Sequence, residues 1–298
     1  MKRVNQQSNM SPFESGYGRN IEWWEDDGGF FGEYYILGDD SIDGFRPNNL
    51  ETLEERTMRE VDGIERLTGI SGKHARIYDV ACGYGRHSIQ LALKKHLVIG
   101  FDINELHLSK ARSDAGRIFQ DHKYRPVFRK RNMIELNEEP IGIDVVINMF
   151  YSFGFFEHDG KNTLVMKNFY NVLKPGGQLV LQTDVAPEML QGGAYKLSEE
   201  RRLRDGGKLI IKEHYDAITH RMNGSWTVVD FRETPRPLTP DSRGNPRPLT
   251  PYSIRIYSAQ EFIDLATYAG FSDAKVYGSF EGEKFTTQSS ELILVAKK

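Results

Sequence analysis

One cysteine, Cys82, is all that the 298 residues contain. An internal disulfide is therefore excluded, a thiolate zinc site is argued against, and a reducing compartment fits. No metal is expected. Long apolar runs are also missing, which excludes a membrane-spanning helix. Neither sign of charge dominates, with 39 Lys and Arg against 42 Asp and Glu. A net charge of −3 gives no electrostatic reason to expect nucleic acid or an anionic membrane as a partner. The segment Met1–Gln7 lacks the apolar core of a secretory signal. These absences lead to the expectation of a cytoplasmic protein, with its first ten or so residues disordered when no ligand is bound.

What is present is an alternation of short apolar strands and helical repeats. Ile77–Val80 is β-prone and includes an acid, Asp79. A turn follows with Ala81, Gly83 and Gly85, and then Ser88–Leu93 repeats its apolar residues at helical spacing. Strand, glycine turn and helix form the nucleotide-binding corner of an open α/β sheet. A dinucleotide site would want a third glycine where Ser88 stands, and a phosphate loop would want Gly-Lys-Ser/Thr. A second apolar run, His96–Phe101, ends on Asp102, 17 residues after Gly85. An acid there accepts hydrogen bonds from ribose hydroxyls, the competing role being to cap the helix that starts near Asn104.

The turn Asp79-x-Ala81-x-Gly83-x-Gly85 resembles motif I of the class I S-adenosylmethionine (SAM) methyltransferases, with Ala81 where that family usually has its first glycine. Asn132-Met133 stands where the family has an Asp beside the adenine, and an amide also accepts that hydrogen bond. Ile143–Phe150 resembles its fourth strand, and Leu173-Lys-Pro-Gly-Gly its turn into the fifth. The string Cys-Gly-Tyr-Gly-Arg-His, Asn148–Phe156 and the Ser-x-x-Glu-Phe helix before Ala269-Gly-Phe271 resemble a bacterial group acting on small molecules. That group includes amine N-methyltransferases of antibiotic and amino-sugar biosynthesis.

The resemblance implies a Rossmann-like seven-stranded sheet, SAM as cofactor and S-adenosylhomocysteine as product. Helix 50–69 is expected to bury Leu53, Met58, Val61, Ile64 and Leu67 and to end at Gly69. The core then reads strand 75–80, helix 86–94, strand 97–102, helix 104–119, strand 126–131, strand 143–149, helix 161–174 and strand 177–184, implying a parallel sheet covered on both faces. Strands 206–216 and 225–231 form a hairpin, joined through Ile218 to Met222 and an Asn223-Gly224 turn. Arg-Pro-Leu-Thr-Pro occurs twice, at 236–240 and 247–251, as a tether between lid strands. A strand 253–257, a helix 258–270 with a Ser258/Glu261 capping box, and strands 272–277 and 291–297 complete the chain. The expected organisation is an aromatic cap or lid at 1–48, a SAM-binding core at 49–189, an antiparallel β insertion at 190–256 and the rest of the core at 257–298. In related enzymes such an insertion often helps form dimers, so a homodimer is an expectation of the same resemblance.

Methyl transfer needs the acceptor held in line with the S–CH3 bond, water excluded and the nucleophile unprotonated. An amine needs little beyond desolvation and a group to take its proton, whereas a phenol or alcohol needs a general base. Candidates for chemistry are His158 after the fourth strand, Asp184 at the end of the fifth, and Tyr17 in the lid. Cofactor contacts are expected from Tyr34, Asp79, Ala81, Gly83, Gly85, Arg86, Asp102, Ile103, Asn132, Met133, Asn148 and Phe150. Acceptor contacts are expected from Trp23, Trp24, Tyr151, Phe155, Phe156, His214 and Trp226. Asn148-Met-Phe-Tyr lacks the prolines of the base-binding Asn/Asp-Pro-Pro-Tyr motif, which argues against DNA amino-methylation. The expectation is in-line methylation of a small-molecule amine. The alternatives are O- or C-methylation of a small aromatic metabolite, and a non-catalytic SAM-binding protein.

Overall fold

The protein is described from a computed structural model, covering residues 22–25, 29–43, 51–120, 123–229 and 246–298. Tyr17, the first ten residues and the first Arg-Pro-Leu-Thr-Pro copy lie outside those residues.

A short helix α1 (Glu33–Asp39) precedes α2 (Leu53–Thr68). The central unit is β1 (Arg76–Val80), α3 (Arg86–Leu93), β2 (Leu97–Asp102), α4 (Glu105–Ile118), β3 (Val127–Lys130), a 3-10 turn (Met133–Glu138), β4 (Ile143–Asn148), α5 (Asp159–Val172) and β5 (Leu173–Thr183). Then come α6 (Pro187–Gln191) and the strands β6 (Ser198–Arg202), β7 (Lys208–Asp216), β8 (Arg221–Val229), β9 (Pro246–Pro248) and β10 (Tyr252–Arg255). The chain closes with α7 (Ala259–Ala269), β11 (Asp273–Tyr277) and β12 (Leu292–Lys297).

Strands β1, β4 and β5 are buried on both faces, so their apolar residues run consecutively rather than alternating. They sit in a seven-stranded sheet of order β3-β2-β1-β4-β5-β12-β11. β1 to β5 are parallel, while β12 runs antiparallel to β5 and β11 antiparallel to β12. The strand order reverses between β1 and β4, and the crevice beyond the carboxyl ends at such a reversal is where ligands bind in this class of sheet.

Helix α2 begins on a Thr52/Glu55 capping box and ends on Gly69 in the left-handed region. Val61 and Ile64 face the core as expected, but Met58 is exposed and Arg56 and Glu60 are buried in its place. Helix α7 has the expected Ser258/Glu261 box and a left-handed Gly270. Among the described residues no helix is long and apolar enough to cross a membrane.

The second sheet has the order β10-β8-β7-β6, with β9 also on β8. The β7–β8 reversal falls at 217–220, where Asp216 accepts from the backbone of Ile218 at 2.8 Å, and not at Asn223-Gly224. Gly224 lies inside β8, paired with Glu213 on one side and Tyr252 on the other. A Cβ there would run into the Tyr252 ring, so this glycine makes room for a neighbour instead of making a turn. One apolar cluster joins Leu209, Ile211, Trp226 and Ile254 of this sheet to Trp23, Trp24 and Phe30 and to Leu179 and Leu181 of β5. The sheet thereby roofs the carboxyl ends of the core strands.

Candidate active site

Two cavities lie side by side at those ends, sharing a wall of Phe31, Tyr35, Ser152 and Phe155. The first is built on β1 and β2. Ala81 and Gly83 both adopt left-handed backbone, with φ of 59° and 54°. A Cβ on Gly83 would meet only His107 Nδ1, at 3.7 Å, so the turn presents open backbone. Asp102 fixes that turn: its Oδ2 accepts from Gly83 N at 2.7 Å and its Oδ1 from Asn104 N at 2.9 Å. Asn104, not Asp102, caps α4, and its amide also donates to Phe31 O at 3.1 Å, tying the N-terminal segment to the core. Ile103, Asn132 and Met133 complete this side, with Trp24, Phe155 and Phe156 opposite. Asn132 uses its carbonyl to cap the 3-10 turn, accepting from Ile134 N at 3.2 Å.

The second cavity opens beyond β4 and β5. Phe150 and Tyr151 leave β4 with φ of 60° each, two consecutive non-glycine residues in the left-handed region. Such backbone is costly and clusters at functional sites. Gln182 holds it: its Oε1 accepts from Phe150 N at 2.7 Å, its carbonyl from Tyr151 N at 3.2 Å, and its Nε2 donates to Asp184 at 2.7 Å. From the roof come Glu213, Trp226 and Tyr252, and from the segment before β6 comes Tyr195. Glu213 is mostly buried and accepts from Tyr195 Oη at 2.6 Å and from Tyr252 Oη. Burial pushes its carboxyl above the usual range, and the two phenols oppose that shift. The Tyr151 hydroxyl is buried and has no hydrogen-bond partner among the described residues, and burial drives its pKa well up.

Several expected contacts fall elsewhere. Gly85 lines neither cavity. Its Cβ would lie 2.8 Å from Phe128 and 2.9 Å from Ala111, so it is a glycine for packing. Asp79 is buried beneath the turn, accepting from Ser88 Oγ at 2.6 Å, with its carboxyl raised by burial. Asn148 donates to Val80 O at 2.9 Å. Arg86 turns away from the cofactor side to pair with Glu60, inside a buried group that includes Arg56 and His87. Phe150 belongs to the second cavity, under the Arg56 guanidinium at 4.2 Å. Tyr34 lines neither cavity, whereas its neighbour Tyr35 lines both, because one step along a helix changes the face presented. Trp23 packs in the aromatic core, 4.9 Å from Phe155, rather than on a cavity wall. His158 precedes α5 and is exposed, and His214 lies on the outer face of β7. Glu213 went unremarked in the sequence. Its signal was the alternation Leu209, Ile211, Glu213, which places it on the inward face.

Comparison with known proteins decides the family. A family model described as a methyltransferase domain matches residues 71–223, half of the chain. The chain belongs to this methyltransferase family. Among curated members, a ubiquinone biosynthesis O-methyltransferase of Pseudomonas savastanoi pv. phaseolicola is 28% identical over 138 residues. That match covers 46% of this chain and 56% of the relative's length. An S-adenosylmethionine-dependent methyltransferase from Clostridium acetobutylicum superposes with a TM-score of 0.67 at 13% identity, over 89% of this chain and 97% of that one. A sugar N-methyltransferase from Streptoalloteichus gives 0.63 at 13% identity, over 99% and 100%. These likenesses show the class I fold.

The methyltransferase cofactor is SAM, and the first cavity suits it. Asp102 has carboxylate lone pairs beyond the two already used, as ribose hydroxyls require. Gly83 and Ala81 offer close backbone approach, and Met133, Ile103 and Phe156 offer an apolar slot for a base.

Proposed function

We propose that this protein transfers a methyl group from SAM to the nitrogen of a small-molecule amine held in the second cavity. One observation carries the reading: this cavity joins carboxyl groups to aromatic walls. Asp184, Glu199 and Glu213 line it, against a single cation among the described residues, Arg201, which is paired with Glu199. Phe30, Tyr35, Trp226 and Tyr252 supply ring faces and edges. Carboxylates with aromatic faces recognise ammonium groups.

Bound SAM supplies an electrophilic methyl group. The protein's part is to orient the amine, exclude water and take up its proton. Reacting atoms must approach to about 3–3.5 Å, so Phe31 and Tyr35, which stand between the cavities, swing aside or frame the passage when both ligands are present. Both belong to the segment that Asn104 tethers, which supports the reading of residues before α2 as a lid.

The test is a transfer assay with methyl-labelled SAM against matched amines and phenols. Methylated amines with unreacted phenols are expected. Labelled phenols with inert amines would replace this reading with O-methylation, the chemistry named for the curated relative.

A further inference from the structure

Glu213 presents a mostly buried carboxyl group whose two hydrogen-bond partners are neutral phenols. Both of its oxygens receive phenolic hydrogens, Oε2 from Tyr195 and Oε1 from Tyr252, an arrangement suited to the ionised form. Among the described residues no Lys or Arg forms an ion pair with it. Arg201 is taken by Glu199, and Arg221 reaches the carbonyls of Phe155 and Phe156. A mostly buried anion without an ion-pair partner is costly. Nevertheless the strand is shaped around it, because Gly224 leaves the gap through which the Tyr252 phenol crosses β8 to reach Glu213. An apolar residue would continue the Leu209, Ile211 face at no such cost. A second observation points to a ligand: the buried Tyr151 hydroxyl, without a hydrogen-bond partner among the described residues, belongs to a residue lining the same cavity.

We propose that Glu213, on the roofing sheet, is the carboxylate that meets the acceptor's ammonium group and takes its proton. The inference rests on the amine reading above. The step balances as follows: an N–H bond of the ammonium breaks, its proton goes to Glu213, and the nitrogen keeps the electron pair. That pair then forms the N–CH3 bond as the S–CH3 bond breaks with its electrons left on sulfur. The groups that face Glu213 are Tyr195, Tyr252, Tyr151, Glu199, Arg201 and, lining the same cavity, Asp184.

The binding test uses benzyltrimethylammonium, a permanent cation that cannot be methylated, titrated by calorimetry into the S-adenosylhomocysteine complex. Glu213→Gln is expected to weaken it at least about tenfold, the scale of a charged contact, while Glu213→Asp retains most of the affinity. Unchanged S-adenosylhomocysteine binding reports that each variant is folded. The kinetic test is the pH profile of kcat/KM with a methylated amine. Without the carboxylate only the neutral amine reacts, so Glu213→Gln moves the profile to alkaline pH, which loss of packing would not do. Equal probe affinity in wild type and Glu213→Gln, no probe binding at all, or an unmoved profile each overturns the proposal. Probe binding that depends on Glu213, with no amine methylated, would keep the cation site and sink the amine reading instead.

Discussion

The two cavities differ in how they are assembled. The first cavity is built largely from residues 81–133, at the carboxyl ends of three successive strands, β1 to β3, with aromatics added from 24–35 and 155–156. The second cavity gathers residues from 30 to 254, on four strands of the roofing sheet, helix α1 and four connecting segments. The first is a property of local sequence, because a strand end and the turn after it fix each other within a few residues. The second exists only once the roof has docked. On the proposed assignment, recognition of the common ligand falls to contiguous chain, and recognition of the particular acceptor to packing between distant segments.

The largest effect is expected where both sides rest on common ground. Beneath Phe150, Glu60 joins Arg56, at 2.9 Å, to Arg86 and to His87, at 2.7 Å, while Asp39 of α1 accepts from Tyr84 in the glycine turn. Burial alone would raise Glu60, but Arg86, Arg56 and His87 outweigh it and hold its carboxyl well below the usual range. Glu60→Gln leaves the two arginines buried without it and is expected to cost about 3–5 kcal/mol in urea unfolding. Because the folded pKa is depressed, the wild-type contribution is complete above the unfolded value of 4.5 and is lost as pH falls through the folded one. The gap between wild type and variant therefore narrows in acid. A loss under about 1 kcal/mol at neutral pH would show that the network merely fills space.

The same division explains what could be read in advance. Asp102, Ala81, Gly83, Ile103, Asn132 and Met133 were legible because strand ends and turns announce themselves in a short window, and all six line the first cavity. Asp184 was legible as the residue leaving β5. The second cavity's other polar residues were not. On β7, Glu213 and His214 are adjacent, and a strand's alternation says that one faces in without saying which. The Asn-Gly pair misled for the same reason, since Gly224 is required by a tyrosine 28 residues away. Arg86 looked like a cofactor ligand because its partner Glu60, on α2, is 26 residues distant.

A smaller effect, confined to one side, sharpens the comparison. Asp102→Ala removes the acceptor proposed for ribose and releases Gly83 N. We expect S-adenosylhomocysteine affinity to fall about 100-fold, the scale of losing hydrogen bonds to a charged group, with the urea midpoint little changed. Affinity within threefold of wild type would move the ribose elsewhere and would blur the division between the two cavities.

The smallest effect is expected at the two histidines that their position in sequence recommended for chemistry. His158 stands at the start of α5 with no capping bond from its side chain, and His214 points outward from β7 while Glu213 points in. Exposed side chains outside a site change free energies by about 0.5 kcal/mol or less. His158→Ala and His214→Ala should therefore keep kcat/KM within about twofold, with the acid limb of the pH profile in place. That limb is the discriminating readout. If it vanished in His158→Ala but survived in Glu213→Gln, the proton would leave by the core strands instead of the roof. The acceptor side would then be organised like the cofactor side, by the residues that follow a strand.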